Sequence, residues 1–226
     1  MATDQPTVGS IRGVNQRRRI RGEDDARAYA LDWGDEQAGE RLELYADLLI
    51  NENQHQNLIS KPSQVHLWER HIADSAQLLE HVPRETYANG TSGPWLDLGS
   101  GPGLPGLVIA ALCPAIPVVL VESRGRRVEF LESCVEKLGL TNCTIHGERL
   151  ERVSPFESWV ISARAFAPLE KLLRLSAPFS TKQTRYLLPK GRSAEHELLE
   201  MKASIRRMFH VKHSLTDDEA GIIVSK

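Results

Sequence analysis

Cysteine is scarce: Cys113, Cys134 and Cys143 are the only three among 226 residues, and no two form a CxxC pair. That excludes a zinc ribbon and a disulfide framework, and reads as buried or half-buried free thiols in a reducing compartment. Long apolar runs are missing too. None approaches the roughly 20 residues that a membrane span needs. Met1 to Arg19 has no apolar core of the kind a secretory signal carries. Both absences point to the cytoplasm. Excess charge of one sign is also lacking, since 28 Lys and Arg against 30 Asp and Glu leave a formal net charge of −2. A nucleic-acid partner would have to be met by a local basic surface.

What is present falls into three parts. Residues 1–24 are polar and carry "QRRRIRG", Gln16 to Gly22, which reads as a disordered basic arm. Residues 25–88 read as a helical cap. In "EQAGERLELYADLLINEN" the residues Leu42, Tyr45, Leu48 and Leu49 fall at helical spacing. Pro62 is expected to break the chain and Ser63 to cap a second helix, whose inner face is Val65, Trp68, Ile72, Leu79 and Val82. "PRETYANGTSG", from Pro83, reads as a linker. Residues 89–226 then alternate strands with helices. "PWLDLG", "PVVLVE", "CTIHG", "SWVISARA" and "TRYLLPKG" read as strands, and "FHVKH" with "GIIVSK" as a closing antiparallel hairpin. One helix is expected over "SAEHELLEMKASIRRM", from Ser193. The fold class is therefore α/β, a doubly wound, mostly parallel Rossmann-like sheet with its ligand at the carboxyl ends of the strands.

The ligand is argued from "WLDLGSGPGLPGL", Trp95 to Leu107. Gly101, Gly103 and Gly106 fit the dinucleotide fingerprint, and Asp97, Gly99, Gly101 and Gly103 fit the glycine loop of S-adenosylmethionine enzymes. A pyrophosphate needs backbone N–H donors at a helix N-terminus, and Pro102 and Pro105 each remove one. S-adenosylmethionine has no phosphate. It needs close backbone approach, an acid near its amino group (Asp97) and an acid for its ribose (Glu122, ending the second strand). No Asn-Pro-Pro-aromatic motif follows the fourth strand, and no cysteine pair stands ready for covalent attack on cytosine.

A series of motifs then comes in order: "NLIS" at 57–60, "RHIADS" at 70–75, "DLGSGPGLPG" at 97–106, "ESRGRRVEFL" at 122–131, "ARAFAPL" at 163–169 and "PKG" at 189–191. From about residue 40 to the end, the sequence resembles the RsmG (GidB) family of bacterial ribosomal RNA methyltransferases. Nothing in the sequence demands more than a monomer, and the resemblance implies a class I S-adenosylmethionine-dependent enzyme. It implies methyl transfer to N7 of a guanosine, usually numbered 527, in 16S rRNA of the small ribosomal subunit or its assembly intermediate. The family's cofactor contacts carry over to Gly99, Leu104, Leu150, Glu151 and Arg164. The pattern often has an acid where Trp159 stands, and it does not include the arm.

Guanine N7 offers a lone pair without deprotonation, so no catalytic base is expected and alignment of the reactants carries the reaction. A cation against the methylated ring would oppose the charge it gains, so Arg164 is expected to shape the cofactor pocket or grip phosphate. The RNA face is expected at Arg164, Lys190 and Arg192, extended by Arg124. His210 and His213 would face opposite sides of a strand and bind no metal. His71 is expected to pack or hydrogen-bond in the cap. The rival readings are a same-fold methyltransferase of small molecules and a non-enzymatic ribosome-binding protein.

Overall fold

The computed structural model describes residues 19–83 and 93–226. The basic arm through residue 18 and most of the expected linker, 84–92, lie outside the described residues.

Residues 19–24 are not arm. Ile20 is buried and its N–H donates to the Leu215 carbonyl at 2.9 Å. Helix α1 (Gly22–Leu31) begins directly after it, with Glu23, Asp24 and Asp25 in the first turn, where acids offset the helix dipole. Its buried Ala26, Tyr29 and Ala30 lie at helical spacing. Helix α2 (Ala38–Glu52) matches the expected amphipathic segment, burying Leu42, Tyr45 and Leu49.

The second cap helix is wound unevenly. Ser60 stands at the N-cap of α3 (Lys61–Gln64), and Pro62 sits in its first turn. Proline opens this helix rather than breaking it, because an N–H is not required there. A π-helical turn (Trp68–Ala73), α4 (Asp74–Ala76) and a 3₁₀ turn (Gln77–His81) follow. Trp68, Ile72, Leu79 and Val82 are buried as expected, whereas Val65 is 71% exposed, on the short turn before the winding widens.

The sheet runs β1 (Trp95–Leu98), α5 (Gly106–Leu112), β2 (Val118–Val121), α6 (Gly125–Lys137), β3 (Cys143–His146), β4 (Val160–Ser162), α7 (Leu169–Ser176) and β5 (Arg185–Gly191). Then come α8 (Ala194–Leu199), α9 (Ala203–Arg206), β6 (Phe209–His213) and β7 (Gly221–Ser225). The single helix expected over 193–208 is thus two, interrupted before Ala203. Strand order is β3-β2-β1-β4-β5-β7-β6, with β7 antiparallel to both neighbours. Order reverses between β1 and β4, so the crevice at their carboxyl ends is where a doubly wound fold binds its ligand.

Apolar clusters cover both faces. One runs without a break from Ile20 and Tyr29 through the cap and α5 to Val118, Leu187 and Val224. The other joins Leu98, Ile161, Leu172, Phe179 and Leu188. Cap and sheet share one core.

Candidate active site

The loop after β1 folds over the end of β2. Both Gly99 and Ser100 donate their N–H to the Val121 carbonyl, at 2.8 and 3.1 Å. Gly99, Gly101 and Gly103 take φ of +64°, +57° and +98°, where a Cβ is strained. At Gly99 space adds to conformation, since a Cβ there would stand 2.6 Å from the Phe166 ring. The loop is braced from both sides. Tyr45 of α2, fully buried, donates its hydroxyl to the Pro102 carbonyl at 2.9 Å, and Glu122 Oε2 accepts the Gly101 N–H at 3.0 Å.

Asp97 does not line the crevice. It is 0% exposed, and its carboxylate ends a buried chain in which Trp95 Nε1 donates to Ser162 Oγ and Ser162 donates to Asp97 Oδ1 at 2.7 Å. Oδ2 accepts the Gly106 N–H at 3.3 Å, which ties the loop's far end to β1. Burial pushes its pKa up to about 6, against the pull of Ser162, Ser100, Gly106 and Arg164. Here Asp97 anchors the glycine loop from beneath, with both carboxylate oxygens taken by protein donors. Gly103 is likewise buried against Leu107. Glu122 also turns inward. Oε1 takes the Ser123 and Arg124 N–H groups, and Arg127 lies 3.7 Å from Oε2. In this form the acid holds its own loop rather than standing open for hydroxyls.

Above the loop opens a cavity of about 1230 Å³. Gly99, Gly101, Leu104, Arg124, Arg164 and Lys190 line it, so half of the sequence-derived residues come together there. Leu150, Glu151 and Arg192 do not. Leu150 is buried in the second core cluster, Glu151 is exposed on a 3₁₀ turn, and Arg192 lies outside, paired with Glu219. Lys190 reaches the cavity wall with its ammonium already used. Its side chain is 7% exposed, donates to the Ala167 carbonyl at 2.9 Å and pairs with Glu197 at 2.9 Å. It ties the loop after β4 to α8.

Arg164 is met from the cap. Its Nη2 donates to His71 Nδ1 at 3.1 Å, and its Nη1 lies 3.7 Å from Asp74 Oδ2. Nη1 is buried beside that carboxylate, beyond hydrogen-bond distance. His71 is buried, and desolvation with the charges of Arg164 and Arg70 lowers its pKa to about 3. Next to Arg164, Ala165 holds φ +53°, a strain tolerated where surroundings dictate the backbone. The remaining acids of the wall are all engaged. Asp74 Oδ1 accepts from Gln77 and Thr216, Asp217 accepts from Arg70, and Glu197 accepts from Ser193.

Sequence reasoning missed Asp74, Arg70, Asp217 and Tyr45. "RHIADS" was a signal for the first two. Tyr45 was legible only as a core residue. Elsewhere, Cys113 and Cys134 are buried and all three thiols have pKa values pushed up to about 12 by burial. His210 and His213 lie three apart on β6 and so face opposite sides of the strand. No described helix is long and apolar enough to cross a membrane.

The glycine turns suit a cofactor that needs close backbone approach. Comparisons agree with that geometry. The family model described as rRNA small subunit methyltransferase G matches residues 38–219. The chain is 54% identical over 204 residues to the ribosomal RNA small subunit methyltransferase G of Erythrobacter litoralis, covering 90% of this chain and 96% of that one. It is 45% identical to the protein of the same name from Zymomonas mobilis, covering 88% and 93%. Among solved structures, an MtNAS mutant in complex with S-adenosylmethionine superposes with a TM-score of 0.52 at 17% identity, covering 90% of this chain and 88% of that one. The apo form of the S-adenosylmethionine-dependent methyltransferase SibL gives 0.53 at 13% identity, covering 72% and 56%. These two likenesses concern the fold alone.

Proposed function

The chain belongs to the rRNA small subunit methyltransferase G family, and from that premise we propose that it methylates N7 of a guanosine in 16S rRNA, the one usually numbered 527. It is a ribosomal RNA methyltransferase with S-adenosylmethionine as its methyl donor. When bound, that cofactor supplies an electrophilic methyl on a sulfonium.

The observation that carries the N7 reading is the state of the cavity's potential bases. His71 Nδ1 is occupied by Arg164, and Asp74, Asp217 and Glu197 each accept from at least two protein donors or face a cation. Among the described residues of this wall, none stands free to take a proton. An amino group, a ring N–H or a hydroxyl would need one removed. N7 would not, so holding the base and the cofactor in line is sufficient.

The chain's residues then divide the work. Gly99, Gly101 and Leu104 offer backbone to the cofactor, Glu122 and Tyr45 fix the shape of that turn, and Arg164, held from the cap, lines the wall. Leu150 and Glu151, one strand away, would have to close on the cofactor from β3. Arg124, with its exposed side chain, and Arg70 stand at the mouth, where RNA phosphates would pass; Arg192 lies farther out and Lys190 takes a structural part. The cavity has room for a cofactor and a base beside it, the latter drawn out of its stack. The same reading takes the chain as a cytoplasmic monomer.

The test uses methyl-labelled S-adenosylmethionine and small subunits, or their rRNA, from a strain lacking this gene. Label recovered in 7-methylguanosine supports the reading. Label in another nucleoside sinks the N7 assignment and keeps the fold and cofactor.

A further inference from the structure

We propose that the cap segment Arg70–Asp74 is a positioning device for Arg164, with the uncharged imidazole of His71 at its centre. The proposal deepens the reading above and rests on it for the identity of the cofactor.

A guanidinium has only donors. Since Arg164 Nη2 lies 3.1 Å from His71 Nδ1, that nitrogen must carry the lone pair. The proton then sits on Nε2, which faces Ser63 Oγ at 2.9 Å; Ser63 in turn donates to the Ser60 carbonyl at 2.8 Å. Both ring nitrogens are committed, so the imidazole cannot turn. A protonated ring would aim an N–H at the guanidinium, and burial beside Arg164 and Arg70 opposes that form. His71 is thus a fixed acceptor, neither a base nor a switch.

Asp74 supplies the second hold. Its Oδ1 is gripped at 2.8 Å by Gln77 and at 2.9 Å by Thr216, from the β6–β7 connection, leaving Oδ2 for Arg164. The Arg70 carbonyl takes a third, longer contact at 3.4 Å. The π turn (Trp68–Ala73) sets these groups on one side of the helix. Three groups of one cap segment therefore meet one guanidinium: His71 and the Arg70 carbonyl at Nη2, and Asp74 beside Nη1. The device fixes the orientation of the Arg164 side chain, which lines the cavity.

The test compares His71→Asn, His71→Gln and His71→Ala. An Asn amide oxygen can stand where Nδ1 stands, whereas a Gln amide reaches the place of Nε2 and leaves Arg164 unmatched. Each purified variant is assayed for cofactor affinity by calorimetry and for KM and kcat on small subunits, with thermal melting alongside. We expect Ala and Gln to weaken cofactor affinity about tenfold, with Asn within about threefold of the parent. In an Arg164→Ala background, His71→Ala should add nothing further. Rescue by Gln instead of Asn, or independent multiplication of the two losses, would overturn the proposal. Should the variants not fold, the imidazole ¹⁵N spectrum of the unmodified protein decides: an Nε2–H tautomer that does not titrate between pH 5 and 8 upholds it, and an Nδ1–H tautomer refutes it. If these effects appear while the labelled product is not 7-methylguanosine, the positioning role stands and the nucleoside assignment falls.

Discussion

Asp97 gives the sharpest test of the electrostatics beneath the glycine loop. Its carboxyl has an ordinary pKa of 3.8 in the unfolded chain and about 6 in the folded one, because burial outweighs its hydrogen bonds to Ser162 and Gly106. Below pH 3.8 both states hold the proton and the group contributes no difference. Between 3.8 and 6 the folded state keeps a proton that the unfolded state has released, so stability falls as pH rises. Above 6 the full cost is present, about 3 kcal/mol at roughly 1.4 kcal/mol per tenfold difference in proton affinity. Asp97→Asn cannot titrate. It loses an acceptor at either Ser162 or Gly106, but that penalty is constant with pH. Urea unfolding of both proteins from pH 4.5 to 7.5 should show the parent losing about 2 kcal/mol relative to the variant across the range, since other groups cancel in the difference. A difference constant to within about 0.5 kcal/mol would refute the reasoning, because it would mean that the buried carboxylate is not held above its ordinary pKa. Ser162→Ala should steepen the dependence and move its midpoint upward.

Gly101→Ala places a methyl where the nearest atom is Arg127 Nη1 at 3.6 Å but forces φ +57° on alanine, so unfolding should show a loss of about 1 kcal/mol and calorimetry a cofactor affinity reduced about tenfold or more. Lys190→Met should cost about 1–3 kcal/mol in urea unfolding by stripping Glu197 and the Ala167 carbonyl of their donor, with rRNA affinity changed less than twofold; the reverse pattern would restore Lys190 as a phosphate ligand. Tyr45→Phe removes one buried hydrogen bond to the glycine loop, and should lower stability by about 1 kcal/mol and raise KM for the cofactor while leaving kcat nearly unchanged.

The sheet was legible because its signals are local. Runs such as Val118–Val121 have no polar residue to spoil them, and Gly139, at φ +63°, marks the end of α6. Helix α1 was legible too and went unread: three acids precede Ala26, Tyr29 and Ala30 at helical spacing, but the neighbouring "QRRRIRG" suggested a polar arm. Backbone conformation was legible at Gly99 and Gly101, whereas the partner that a side chain chooses was not. Asp97, Glu122 and Lys190 are the right residue types in the right strands. Each turns to a protein group that a linear pattern does not reveal: Ser162 lies 65 positions from Asp97, Gly101 21 from Glu122, and Ala167 23 from Lys190.

The cap follows the same logic at a larger scale. Its apolar spacing reads only as a helical cap, yet its contacts make it one wall of the site. Glu23 of α1 accepts the N–H groups of Trp68 and Glu69, both at 3.0 Å, and Arg27 lies over the Trp68 ring at 4.5 Å. Trp68 opens the π turn that carries His71, and Asp74 follows it. Gln77 then binds Asp74, Ser214 and the Leu215 N–H, while the Leu215 carbonyl accepts from Ile20. The path from α1 to Arg164 is continuous and mostly buried. Deleting residues 1–21 should therefore do more than remove a tail: with Ile20 gone, the Leu215 carbonyl loses its donor and the first core cluster loses a buried side chain, about 2–3 kcal/mol together. Deleting only residues 1–18 leaves those contacts in place. Thermal melting of the two truncations should separate them by several degrees. Equal melting temperatures would show that the segment around Ile20 is not part of the folded wall.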